Sequence, residues 1–214
     1  MFRSFIAVLI FVINANGLLN AQENVPLESW RMHIAYNDVL YLAEGDNKIF
    51  AAVNNGVFYF DKEDNSINTI TKINGLSDVD ISTLAFSKER KLLIIGYESG
   101  NLDVWTDTQI ININDLVNSK VNLSKRVNHI YIKGDMCFIS TDFGVLKLNL
   151  STLKITESIQ NLGAQGESLV INESTVYNDS LFLATQNGII SASLSPNSNI
   201  LDFNNWNRFG ANDN

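Results

Sequence analysis

The sequence predicts an all-β fold, a β-propeller of four blades with four antiparallel strands in each blade. Two observations support this prediction. A pattern of apolar strand, glycine turn and second strand returns every 44 residues, and its turn glycines are Gly56, Gly100, Gly144 and Gly188. Each period also has room for two further strands, and four short strands in roughly forty residues are typical of a propeller blade. A generic β-sandwich is the alternative, but it gives no reason for a constant register.

The two strands around each glycine differ in their pattern. The strand before it is a continuous apolar run, at 49–51, 93–95, 137–139 and 181–183, as expected for a strand buried on both faces. The strand after it alternates, so that Leu146, Leu148 and Leu150 share one face. The glycine is expected to supply the positive φ of a tight hairpin.

Each repeat also contains a first strand and a last strand. The predicted first strands are Val39–Ala43, Ile81–Phe86, Val127–Ile132 and Thr175–Tyr177. The predicted last strands are Ile67–Ile73, Gln109–Ile113, Lys154–Ile159 and Ile200–Phe203, the last running on to Trp206. Four positions before each glycine the residue is small: Ala52, Gly96, Ser140 or Ala184. Small residues in one column indicate a place where neighbouring blades crowd together. Leu76, in the link after the first blade, is expected to fill the gap between blades.

The N-terminus has the pattern of a secretory signal peptide at residues 1–21. Arg3 gives a positive start, Phe5–Ile13 is an apolar run too short to span a bilayer, and cleavage is expected after Ala21. The mature chain is therefore expected to be exported, with no transmembrane segment.

The mature chain divides into blades with an additional strand in front. Residues 22–38 are expected to supply a strand for ring closure, because Trp30 and Trp206 lie four repeats apart. The four blades are predicted at about 39–80, 81–126, 127–170 and 171–210, followed by a truncated linker at 211–214. Four blades make a small ring. We therefore expect a partial or truncated propeller that belongs to a longer protein.

Composition disfavours anionic partners and rules out an intrachain disulfide. The formal net charge is −8, which disfavours nucleic acids and anionic membrane surfaces, since both require basic patches. Cys137 is the single cysteine and lies in a buried strand column. It is expected to be a small core residue, and no intrachain disulfide can form.

The candidate chemical groups are few, and we predict no catalytic, metal-binding or cofactor-binding residue. His33 and His129 are isolated in the sequence, which favours structural or surface histidines over metal ligands. The run Asp61–Asn65 could supply oxygen ligands to calcium, but a solvated hairpin turn is favoured. Asp78 and Asp80 share a strand face, as many surface pairs do. The pattern does not identify the ligand-binding residues, because those of a propeller converge from different blades.

Two resemblances add to this interpretation. The segment 53–61, VNNGVFYFD, resembles the two-component-regulator propeller repeat. Most of the mature chain resembles the N-terminal propeller of the PorZ family, surface components of the Bacteroidetes type IX secretion system. The stretches that carry this second resemblance are 29–33, 58–65, 72–78, 95–101 and 141–144.

The PorZ resemblance implies a non-enzymatic role in the periplasm or on the outer-membrane surface. Members of the family carry two propellers and a C-terminal β domain, work with a sortase-like partner, and deliver anionic lipopolysaccharide to secreted cargo. The resemblance therefore implies protein partners in a secretion and attachment complex. Two alternatives remain: a glycan-sensing propeller of a hybrid two-component system, and a polysaccharide lyase or hydrolase with groups converging at the axial funnel. A position of His33 and His129 far from that funnel would count against their being catalytic.

Overall fold

A computed structural model describes residues 34–210, which form four antiparallel sheets of four strands each. The first sheet contains β1 Tyr41–Glu44, β2 Lys48–Val53, β3 Gly56–Asp61 and β4 Ile67–Thr71. The second contains β5 Ile81–Ser87, β6 Leu92–Tyr97, β7 Leu102–Thr106 and β8 Gln109–Ile113. The third contains β9 Val127–Lys133, β10 Met136–Thr141, β11 Gly144–Asn149 and β12 Lys154–Gln160. The fourth contains β13 Ile171–Tyr177, β14 Ser180–Thr185, β15 Gly188–Ser193 and β16 Asn207–Phe209. We call these sheets blades 1 to 4.

Each blade is a simple meander whose strands pair in chain order. The first strands β1, β5, β9 and β13 contact one another from blade to blade, so they form the inner layer of the array. Three apolar clusters hold successive blades together, one at each junction between neighbours. The all-β propeller fold predicted from the 44-residue repeat is thereby confirmed, and the four sheets form an arc of a propeller.

The column of small residues marks close contact between blades, as predicted. A Cβ atom added to Gly96 would lie 2.7 Å from Cγ1 of Val127, which begins blade 3, and 2.8 Å from Cγ2 of Thr83. Ala52 and Ser140 in the same column are fully buried. Leu76 is buried in the cluster between blades 1 and 2, where the sequence placed it.

The turn glycines fall into two groups. Gly100, Gly144 and Gly188 have positive φ, as the hairpin argument requires. Gly56 is not among the glycines with positive φ, so that expectation is wrong for blade 1. A Cβ at Gly56 would instead lie 3.0 Å from the Ile70 carbonyl oxygen and 3.0 Å from Cδ1 of Ile34. Close packing against the neighbouring strand therefore favours glycine at this position.

Three strand predictions need correction. Strand β4 ends at Thr71, because the Thr71 and Asn74 side chains cap a short 3-10 helix, Lys72–Asn74. Strand β13 begins at Ile171 rather than Thr175, since it pairs with β14 over its polar residues as well. The last strand of blade 4 is Asn207–Phe209 and not Ile200–Trp206.

The error at the end of blade 4 has a local cause. The Asp202 carboxylate accepts a hydrogen bond from the Asn204 backbone N–H at 2.9 Å and caps a second 3-10 helix, Phe203–Asn205. The Trp206 indole N–H donates to the Ile200 carbonyl at 3.0 Å. These bonds fold the segment back on itself, and side chains that bond to nearby backbone compete with strand pairing.

Several predictions lie outside the described residues. They are the signal peptide at 1–21, the strand expected within 22–38 as far as His33, Trp30 and the linker at 211–214. Among residues 34–210, no helix is long and apolar enough to cross a membrane.

Candidate functional site

The inner strands of blades 3 and 4 border a cavity of about 370 Å³ that contains the sequence candidate His129. His129 lies on β9, and Glu173, Ser174 and Thr175 line the cavity from β13. Phe182, Ala184 and Ile189 line it from the face of blade 4 that points away from blade 3. His129 therefore lies on a strand of the inner layer, whereas His33 lies outside the described residues.

The imidazole of His129 is held in place by the next blade. Its Nδ1 accepts a hydrogen bond from the Ser174 backbone N–H at 3.3 Å, and its Nε2 lies 3.8 Å from a Glu173 carboxylate oxygen. Burial lowers the pKa of His129, and attraction to Glu173 opposes this only in part. The ring is therefore neutral near pH 7, with Nδ1 unprotonated because it accepts a hydrogen bond.

Two buried serine hydroxyls lie close to this histidine along the strands. Ser140 pairs with His129 between β10 and β9, and the Ser174 backbone bonds to the imidazole. The hydroxyl oxygens of Ser140 and Ser174 are buried without a hydrogen-bond partner. Neither hydroxyl is hydrogen-bonded to His129, so the nucleophile–base contact of an activated serine is not formed in this arrangement.

The other candidate carboxylates organise turns. Asp61 accepts a hydrogen bond from the Glu63 N–H at 3.0 Å, and Asp64 accepts from the Ser66 N–H at 2.9 Å. Hydrogen bonds from Ser66 lower the pKa of Asp64. Asp78 accepts from the Ser99 hydroxyl at 2.6 Å. Within residues 34–210, no group of three or more His, Cys, Asp or Glu side chains is placed to hold a metal ion.

Cys137 is fully buried, as the sequence predicted, and it belongs to the apolar cluster between blades 2 and 3. Burial raises the pKa of its thiol. A thiol in apolar surroundings stays protonated and unreactive.

Asp103 is a buried polar centre that the sequence interpretation did not identify. Its carboxylate is fully buried and accepts hydrogen bonds from the Tyr97 hydroxyl at 2.7 Å and the Ser77 backbone N–H at 2.8 Å. It also accepts from Nδ2 of Asn112 at 2.9 Å. Burial, followed by the charge of Asp103, raises the pKa of Tyr97. The three bonds connect three strands of blade 2, β6, β7 and β8, to the link from blade 1.

The surface around the His129 cavity is an exposed apolar face of blade 4. Phe182 is half-buried and Ile189 is 49 % exposed. Their counterparts in blade 3, Phe138 and Val145, are fully buried against blade 4. The candidate site thus lies where the inner strands of blades 3 and 4 meet a face of blade 4 that no sheet of residues 34–210 covers.

Four meander sheets around an inner layer define a β-propeller domain, and the sequence comparison identifies its family. Residues 49–207 match the model of the N-terminal β-propeller domain of PorZ, a type IX secretion system protein. The chain therefore belongs to this family. No curated protein matches the sequence.

Solved structures show the same fold. PorZ of Porphyromonas gingivalis, described as an essential bacterial surface component of the type IX secretion system, matches with a TM-score of 0.69 at 23% identity. That match covers 80% of this chain and 22% of PorZ. The chain thus spans about a fifth of the length of PorZ.

Two further structures are similar in fold. The extracellular domain of the putative hybrid two-component system BT4673 of Bacteroides thetaiotaomicron has a TM-score of 0.61 at 18% identity. The match covers 76% of this chain and 22% of that one. The computationally designed protein Ika4 has a TM-score of 0.56 at 13% identity, covering 81% of this chain and 98% of Ika4.

Proposed function

We propose that this propeller is part of a non-enzymatic component of the type IX secretion system. It acts outside the cytoplasm, in the periplasm or on the outer-membrane surface, where it supports the attachment of secreted cargo. The observation that carries the proposal is the family match over residues 49–207. The fold similarity to PorZ, a surface component of that system in Porphyromonas gingivalis, also supports it.

The finer role follows from the same family relation. The propeller contacts protein partners of the secretion and attachment complex, and the complex delivers anionic lipopolysaccharide to a sortase-like partner. The chain's own formal charge of −8 argues that any anionic polysaccharide is held by partner proteins rather than by broad basic surfaces here.

Deletion of the gene in the bacterium that encodes it tests the proposal. We expect type IX cargo to accumulate inside the cell and to lose its surface attachment, while a periplasmic protein exported by the general secretory route is unchanged. Normal secretion and normal attachment of cargo in the deletion strain would contradict the proposal.

The same strain separates the alternatives. A sensor of a two-component system, a role suggested by the fold similarity to BT4673, would change transcript levels while leaving the secretion of existing cargo intact. A polysaccharide lyase or hydrolase would require His129, the imidazole beside the inner cavity. We expect a His129→Gln gene to restore secretion fully, and a failure despite normal protein levels would favour the enzyme.

A further inference from the structure

A cleft of about 440 Å³ lies between blades 1 and 2, away from the His129 cavity. It is lined by hairpins at one end of the two blades, because the loops after the first and third strands of a meander emerge at the same end. Blade 1 contributes Asp46, Asn47 and Lys48 from the first hairpin and Glu63 from the other. The lining residues of blade 2 are Phe86, Lys91, Trp105 and Asp107. Both blades are complete, so this cleft does not depend on an exposed end of the arc.

The floor of the cleft is aromatic. Phe86 stacks on Phe50 with ring centroids 5.6 Å apart, and Trp105 contacts Tyr59 at 5.6 Å and Phe50 edge-on at 5.3 Å. Phe50 is fully buried beneath them. This packing holds Phe86 and Trp105 in fixed positions at the floor of the cleft, as a preformed binding surface requires.

The indole N–H of Trp105 is a hydrogen-bond donor at the floor of the cleft. It has no hydrogen bond to another group among residues 34–210 and is not one of the buried polar atoms without a partner, so it faces solvent in the cleft. The indole N–H of Trp206, by contrast, donates to the Ile200 carbonyl at 3.0 Å. Indole N–H groups of largely buried tryptophans usually find a hydrogen-bond partner. An acceptor on a bound molecule would supply one here.

The rim of the cleft carries donors and acceptors of both signs. Lys48 lies 3.3 Å from Asp61 and 3.7 Å from Asp107, and Lys91 lies 3.6 Å from Asp46. The Asn47 amide donates to Glu63 at 2.9 Å. Three carboxylates and two ammonium groups line the cleft, so a negatively charged ligand is disfavoured and a neutral one with many hydroxyls is favoured.

The next junction of the propeller is built differently. Leu93 pairs with Phe86 and Trp105, whereas the corresponding Cys137 of blade 3 pairs with Ile132 and Leu148. At the hairpin end, Arg90 of blade 2 binds Asp135 and Ser151 of blade 3 and bridges the two blades. Among residues 34–210, the aromatic floor therefore distinguishes the junction of blades 1 and 2 from that of blades 2 and 3, whereas ion pairs bridge the hairpin end of both junctions.

We propose that the cleft between blades 1 and 2 binds a neutral sugar ring, such as a pyranose unit of a cell-surface glycan. The apolar C–H face of the ring packs on Phe86 and Trp105. Its hydroxyls accept from the Trp105 indole and Lys48 and donate to Asp107 and Glu63, since a hydroxyl both donates and accepts. This binding does not depend on the type IX assignment, because it rests only on residues of the cleft.

The test follows the indole N–H signals in the nitrogen-15 NMR spectrum of the full chain. The probes are the methyl glycosides of glucose, galactose, mannose and N-acetylglucosamine, with methyl glucuronide as a negatively charged comparator. The Trp105 signal is assigned from its loss in Trp105→Phe. We expect at least one neutral glycoside to shift it saturably without moving the Trp206 signal, and the glucuronide to bind more weakly.

Variants of the rim give the decisive comparison. Glu63→Ala and Asp107→Ala remove exposed acceptors of the cleft, and each should weaken binding by about tenfold. Glu157→Ala is the matched control, because Glu157 lies on β12 and accepts from Lys147 at 2.9 Å, away from the cleft. It should leave the affinity unchanged.

Three results would overturn the proposal. The first is that no neutral glycoside moves the Trp105 signal, and the second is that both rim variants bind like the wild type. The third is that a lysine-rich peptide moves the signal while the glycosides do not, which would assign the cleft to cationic peptides. Should Trp105→Phe fail to fold, the rim variants still decide the question, since their side chains are exposed.

Discussion

The faces of blades 3 and 4 that point forward along the chain use the same columns in different surroundings. In blade 3, Phe138 and Val145 are fully buried because blade 4 covers them. In blade 4, Phe182 and Ile189 occupy the same positions of the pairing register, but Ile189 is 49 % exposed. The comparison shows that the repeat places apolar residues on the forward face of both blades. It does so whether or not another sheet of the described residues covers that face.

The backward face of blade 1, at the opposite end of the arc, shows the same pattern. In blade 1, Leu42 is 67 % exposed and Phe60 is 37 % exposed on the face that points backward. Their counterparts in blade 3, Ile130 and Leu148, are buried against blade 2. Burial of such a side chain contributes about 1.5–3 kcal/mol. Both end faces therefore have the composition of blade interfaces rather than of ordinary surface.

The largest expected effect separates the two phenylalanines. Phe138→Ala should lower the free energy of unfolding by about 3–5 kcal/mol, because it removes a fully buried ring from between two blades. Phe182→Ala should cost less than about 1 kcal/mol, since its ring is only half-buried. Urea unfolding of the two variants and the wild type measures both values. Equal losses would break the comparison.

The next effect concerns Asp103, which lies where blades 3 and 4 have Leu146 and Ile190. Asp103→Leu copies the other blades but leaves the Tyr97 hydroxyl and the Ser77 N–H without their acceptor. The Asn112 amide keeps its bonds to the Asn101 side chain and the Leu102 carbonyl. We expect a loss of about 3 kcal/mol, because buried unpaired polar groups cost 1–3 kcal/mol each. Adding Tyr97→Phe should recover part of it. A stabilised Asp103→Leu variant would show that the network contributes nothing.

A smaller effect tests the column of small residues. Gly96→Ala should cost about 1–3 kcal/mol, because the new methyl meets Val127 and Thr83 at less than van der Waals distance. Ala184→Val enlarges the side chain at the same column in blade 4. Because Ala184 is only partly buried, this substitution should change the free energy of unfolding by about 0.5 kcal/mol or less. Thermal unfolding of both variants provides the measurement, and equal destabilisation would argue against an open face on blade 4.

The smallest effect is a dependence on pH. Burial lowers the folded-state pKa of His129 from its ordinary value of 6.5, so the unfolded state takes up its proton first as the pH falls. The stability contributed by the neutral ring is present above about pH 6.5 and decreases below it, toward the lower folded-state pKa. Chemical unfolding between pH 7 and pH 5 should show a shallower decline for His129→Gln. A decline as steep as that of the wild type would assign the dependence to other groups.

The repeat made the fold predictable, but the register could not be predicted in full. Hairpins of blades 1, 3 and 4 leave two residues unpaired between the second and third strands, whereas blade 2 leaves five, Tyr97 to Asn101. Glycine spacing aligns Asp103 with the partly exposed Lys147. The longer hairpin shifts β7 by one residue and turns Asp103 inward, because a one-residue slip exchanges the two faces of a strand.

The candidate sites were less accessible from the sequence than the fold. His129 and Glu173 belong to different blades, and the cleft between blades 1 and 2 joins residues that are up to 61 positions apart, from Asp46 to Asp107. Such contacts depend on how blades pack, which the periodicity does not specify. Local signals succeeded where the cause was local, as for Leu76 between blades and Cys137 in its buried strand.

The central claim is that the forward face of blade 4, which no sheet of residues 34–210 covers, is open to solvent. Thiol labelling tests this claim most directly. The native Cys137 is buried, so it gives a low background. Ile189→Cys and Val145→Cys place one new thiol in the same column of blades 4 and 3. We predict that iodoacetamide labels the Ile189→Cys protein quickly under native conditions and the Val145→Cys protein only on unfolding. Equally slow labelling of both would contradict the account, because it would show that the face of blade 4 is covered within this chain.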